Sequence, residues 1–274
     1  MKALGLHLGA GRALFMWQKL FAFMLSSNVT NRVWKVIIAA WVSLSCPTPI
    51  HAQQMPNRTL TELINKQEPG WDLVRDWIKQ AKNSVQVLPK TQAHADSALL
   101  AAQVTTRSPM GAIVYETGGI LVDGGWLRIL GSGCPALDRD LMGWNEGKQQ
   151  GFLLVADDVM GGFYALNGGA FGPESVGKIF YFAPDNLRWE ATNKTYSEFL
   201  IFCFSGDLAS YYKNLRWKGW EQEVKALNGN QGLMCIPFLF TTEGKNVAKN
   251  ARKPVPVAEL WGMNQNFQQQ LDGH

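Results

Sequence analysis

The stretch from Tyr115 to Gly133, "YETGGILVDGGWLRILGSG", decides the fold. Together with the preceding "GAIV", short β-branched and aromatic runs alternate here with Gly-Gly and Asp-Gly-Gly, the turn chemistry of hairpins, because glycine tolerates positive φ. "GAIVYE" too therefore reads as a strand. Glycine clusters next to an acid also suggest a phosphate loop. That reading needs a Lys-Ser/Thr pair, or G-x-G-x-x-G between a strand and a helix. "GSGCPALDRD" has neither. The stretch reads as scaffold.

Outward from it, the same grammar repeats in "FLLVADDVMGGFYALNGGAFG" and "GKIFYFAPDNLRWEA", giving about six short strands at hairpin spacing. Helical patterns flank them. Thr59 followed by Glu62 forms a capping box, and Trp71, Val74, Ile78 and Ala81 recur at helical spacing. "SVQVLP" reads as a short strand and "HADSALLAAQV" as a helix. A second capping box, Thr195 and Glu198, opens "KTYSEFLIFCFSG", and "DLASYYKNLRW", "GWEQEVKALNG" and a last helix after "PVPVAELW" follow. "LMCIPFLF" fits strand or helix. Helices, then strands, then helices predict an α+β fold with a central antiparallel or mixed sheet of about six strands, covered mainly on one face.

The first 52 residues differ from the rest, with five basic residues and no acidic ones, so the remaining chain sets 21 Lys and Arg against 22 Asp and Glu. A body near neutrality lacks the basic surplus of a nucleic-acid groove. "NRVWKVIIAAWVSLSCPTPIHAQQ" has the basic start, short apolar core and small residue of an export signal, with cleavage between Ala52 and Gln53. A start at Met24 would make that signal 29 residues long. The expectation is a single domain over 53–274, periplasmic or secreted and without stable membrane insertion; the alternative is an inner-membrane anchor at the N-terminus. Cys134, Cys203 and Cys235 are too few and too irregular for a disulfide framework or a zinc site.

No metal site, cofactor motif or catalytic constellation emerges. His94 is the single histidine in the interior of the body, and no G-x-S-x-G elbow is present. The acids at strand ends and turns, Asp157, Asp158, Asp123 and Glu116, are the candidate binding residues, with Trp144 as an exposed aromatic anchor. Adjacent carboxylates in an extended segment point to opposite faces, so Asp157 and Asp158 should not converge on one ion.

"QVTTRSPMGAIVYETGGILVDGGWLRILGSG", "FLLVADDVMGGFYALNGGA", "KIFYFAPDNLRWE" and "FCFSGDL" closely resemble domain-of-unknown-function family 2625, over nearly all of 57–270. The strand order is more distantly similar to the SUKH (Smi1/Knr4-like) superfamily. That resemblance implies an α+β fold and a toxin-neutralising, immunity-like binder with a protein partner. The functional expectation is a non-enzymatic protein-binding module of the cell envelope. A carboxylate-dependent envelope hydrolase and a small-ligand or structural module are the alternatives.

Overall fold

A computed structural model describes residues 57–148 and 150–273. The export signal and the Ala52–Gln53 cleavage site lie outside the described residues. The fold is α+β. Its centre is an antiparallel sheet of seven strands in sequence order: β1 (Val85–Leu88), β2 (Gly119–Val122), β3 (Leu127–Leu130), β4 (Phe152–Asp158), β5 (Phe163–Asn167), β6 (Lys178–Ala183) and β7 (Arg188–Thr195). The "DGG" turn joins β2 to β3 through Asp123, Gly124 and Gly125, at φ 54°, 67° and 94°. Three successive left-handed residues explain the paired glycines; Asp tolerates the same region better than most side chains.

On one side of the sheet, α6 (Tyr196–Ser205) lies against β6 and β7, and α2 (Gly70–Lys79) and α4 (Pro109–Glu116) pack on it, with α3 (Gln92–Ala102) on α4, as a helical layer. Both expected capping boxes form, at Thr59 before α1 (Leu60–Leu63) and at Thr195 before α6. Helix α6 presents Phe199, Leu200, Cys203 and Phe204 to the core, and Phe199 packs 4.7 Å from the Tyr164 ring. Fully burying such side chains stabilises the fold by about 1.5–3 kcal/mol each.

The other face carries a hairpin of β8 (Gln231–Ile236) and β9 (Ala251–Pro256), with α9 (Val257–Asp272) against it. "LMCIPFLF" therefore resolves into the end of a strand and a loop. Trp261 of α9 meets Phe163 of β5 edge-on at 4.9 Å. Between β3 and β4 lies α5 (Leu141–Asn145), and α7 (Leu208–Tyr211) and α8 (Trp220–Lys225) follow α6.

One local expectation is overturned. "GAIVYE" reads as strand by composition, yet it is the body of α4. Ser108 caps the helix by accepting from the Gly111 amide at 3.0 Å, and Pro109 occupies the first helical position. Cap, proline and burial of Met110 to Val114 outweigh the β preference of Ile113 and Val114.

Candidate functional site

The sheet register brings a charged cluster together. Gln86, Leu121, Arg128, Asp157 and Phe163 are successive cross-strand partners on β1 to β5 and share one face. Arg128 Nη2 lies 2.5 Å from Asp157 Oδ1, and Arg139 Nη1 donates to Asp157 Oδ2 at 2.5 Å. Arg128 Nη2 also donates to the Asp158 carbonyl at 2.9 Å, and Nη1 to the Gln231 carbonyl. Arg139 Nη2 reaches the Gly229 carbonyl at 2.9 Å. The cluster thus fastens the sheet to the segment leading into β8. Side-chain exposure is 1% for Arg128, 8% for Arg139 and 0% for Asp157. Burial lowers the Arg128 pKa, and Asp157 opposes that shift.

Asp158 points the other way. Its Oδ1 accepts from the Met160 and Gly162 amides at 2.9 and 3.0 Å, and its Oδ2 from the Tyr181 hydroxyl at 2.8 Å. Burial raises its pKa, against the lowering effect of these hydrogen bonds. Beside it, the Tyr164 and Tyr212 hydroxyls meet at 2.7 Å. Burial pushes the Tyr164, Tyr181 and Tyr212 phenols well up, so they stay neutral donors.

These positions correct the expected acidic and aromatic surface. Asp157 and Asp158 do face opposite sides, but both sides are covered, because β4 is a central strand between the helical layer and the β8–β9 hairpin. Neither is available at the surface. Trp144 is buried to 8% exposure, not presented to solvent. Arg139 lies 4.8 Å and Lys148 3.8 Å from its ring centroid. Arg139 therefore links Trp144 to Asp157. Glu116 pairs with Lys90 at 2.9 Å and Asp123 with Arg216 at 2.5 Å, both part-exposed and separate from the cluster.

Sequence reasoning missed Arg128, Arg139 and Tyr181. The available signal was Arg128 itself, a charge inside the otherwise apolar "LRIL" of β3. Cys134, Cys203 and Cys235 are buried free thiols; burial pushes Cys235 up to about 11 and Cys203 well above its ordinary value. Among the described residues, no group of three or more His, Cys, Asp or Glu is arranged to hold a metal. Among the same residues, no helix is long and apolar enough to cross a membrane.

Two concavities flank the cluster. An open groove of about 720 Å³ runs between α3 and α5, lined among others by His94, Ser97, Asp138, Asp140, Asn145 and Glu146. Asp140 is committed as the cap of α5. Asp138 and Glu146 are exposed and make no ion pair among the described residues. The second is a narrower cleft of about 200 Å³ over Arg128.

A family model described as "Protein of unknown function DUF2625" matches residues 60–260. The chain is 42% identical over 209 residues to the uncharacterized protein YbfG of Escherichia coli, covering 75% of this chain and 95% of that one. It is 45% identical over 207 residues to an uncharacterized protein of Haemophilus influenzae, covering 73% and 90%. No solved structure matches.

Proposed function

The chain belongs to the DUF2625 family, and on that premise we propose that it is a non-catalytic binding module whose partner is a protein presenting a basic segment. The observation that carries the reading is the α3–α5 groove. It holds two exposed carboxylates, Asp138 and Glu146, neither in an ion pair among the described residues, beside the exposed His94. Such a groove attracts a cationic segment and rejects an acidic one. The four acids first singled out are otherwise engaged: Glu116 with Lys90, Asp123 with Arg216, Asp157 with two arginines, and Asp158 with Tyr181 and two amides. A carboxylate hydrolase would need two acids converging across a cleft, and no observation favours that alternative over binding.

The sharpest form of the proposal is an immunity-like blocker of the SUKH type, acting in the periplasm after removal of the leader. The experiment is in-cell crosslinking of the full chain with mass-spectrometric mapping, comparing wild type with Asp138→Lys/Glu146→Lys. Crosslinks from one basic partner to α3 and α5, lost in the double variant without a change in melting temperature, are the expected outcome. Crosslinks mapping elsewhere, or retained in the variant, refute the groove. The same spectra report whether the mature N-terminus is Gln53.

A further inference from the structure

The Arg128–Asp157–Arg139 cluster is not neutral. Two guanidinium groups share one carboxylate, all three being nine-tenths buried or more. The next acid, Asp158, turns its carboxyl group to the opposite face of the sheet and spends it on Tyr181 and two amides. Its raised pKa weakens it further as a counter-charge. Arg128 Nε and Arg139 Nε are buried without a hydrogen-bond partner. A buried charge without compensation is costly, and proteins pair it with an acid, a metal or a ligand.

Directly over this excess lies the 200 Å³ cleft. Arg128 forms part of its lining, with Gln86, Gly124, Gly125, Lys225 and Asn228 around it. The cleft is built from the same cross-strand row as the cluster, since Gln86, Leu121 and Arg128 are neighbours on β1, β2 and β3. Lys225, at the end of α8, is exposed and makes no ion pair among the described residues. The nearby acids are Asp123, held by Arg216, and Glu221, one turn before Lys225 on α8 and not bonded to it. The cleft therefore combines a buried cationic floor with an ammonium and two side-chain amides at its rim.

We propose that this cleft is a binding site for a small oxyanion of the phosphate class, held by Lys225, Gln86 and Asn228 over the positive field of Arg128. Phosphate oxygens accept from ammonium and amide donors, and charge-assisted hydrogen bonds are about twice as strong as neutral ones. The site lies apart from the α3–α5 groove and does not depend on the protein-binding reading.

The test is calorimetric titration of the full chain with inorganic phosphate at neutral pH and constant ionic strength. Lys225→Glu and Gln86→Ala are compared with Lys66→Glu, a charge reversal at an exposed lysine outside the cleft. One saturable site is expected in wild type and Lys66→Glu. Lys225→Glu should weaken it at least tenfold and Gln86→Ala by less, while Asp138→Lys/Glu146→Lys leaves it intact. No saturable binding, or equal weakening by Lys225→Glu and Lys66→Glu, would overturn the proposal.

Discussion

Replacing Asp157 by asparagine tests the account of the buried cluster most directly. In the native protein Arg128 holds Asp157 Oδ1 and Arg139 holds Oδ2, each at 2.5 Å, and Arg139 Nη2 also reaches Oδ1 at 3.4 Å. An asparagine retains one acceptor, so one arginine keeps a hydrogen bond, now to an uncharged oxygen. The other arginine faces an amide NH2, donor against donor. Both positive charges then stay buried with no acid between them. Removing one member of a buried ion pair costs about 3–5 kcal/mol, and two guanidiniums share this one, so the upper part of that range applies. For a domain of this size each kcal/mol lowers the melting temperature by about 2–4 °C, which gives a loss on the order of 10–20 °C. The neighbouring Asp158→Asn is the internal control. Its Oδ1 can still accept from Met160 and Gly162, and its amide can donate to the Tyr181 oxygen, so about 1 kcal/mol is lost. Thermal unfolding of the full chain by tryptophan fluorescence measures both. If Asp157→Asn melts within about 3 °C of wild type, or no lower than Asp158→Asn, the cluster does not fasten the sheet as argued.

Asp158 also carries a pH signature. Its pKa is raised in the folded state, so the native protein binds the proton more tightly than the unfolded chain. The stability contributed by the protonated form is complete below the unfolded carboxylate value near 4 and is lost as pH rises through the folded value. Subtracting the stability-versus-pH curve of Asp158→Asn from that of wild type should therefore leave a difference that falls across that window; a flat or rising difference contradicts the burial argument. At the start of α4, Ser108→Ala removes the cap on the Gly111 amide and should cost about 1 kcal/mol, read as a urea midpoint shift with unchanged slope. A variant as stable as wild type would mean that Pro109 and burial alone hold this helix.

Much of the fold is legible in the residues because it is written locally. The capping boxes at Thr59 and Thr195 and the Gly-rich turn at Asp123–Gly125 each involve residues within three positions of one another. Composition misleads at α4, where a cap and an N1 proline outside the "GAIVYE" run decide the outcome. The charged cluster is of another kind. Arg128 meets Asp157 only through the pairing of β3 with β4, two strands separated by a long connection that carries Arg139 and α5. No turn fixes that register, so no short-range pattern announces it. The burial of Asp157 likewise depends on β8, β9 and α9 closing the second face from far along the chain, and that of Asp158 on Tyr181 and on Tyr164 and Tyr212 meeting over the opposite one. The alternation of the two acids between faces is a local property of a strand, and it was readable; what waits on each face was not.

That alternation has a consequence for how the chain finds its fold. Sliding β4 by one residue along β3 would turn Asp157 toward the tyrosine-lined face and Asp158 toward Arg128. Asp158 would abandon two backbone amides and Tyr181, and Asp157 would meet no cation. Adjacent acids on opposite faces thus act as a two-pin key: both holes are filled together only in the native register, and a one-residue slip leaves at least one acid without its partners. The unusual polar content of a central strand then serves pairing fidelity, guarding against misaligned hairpins in a sheet whose remaining side chains are mostly interchangeable grease.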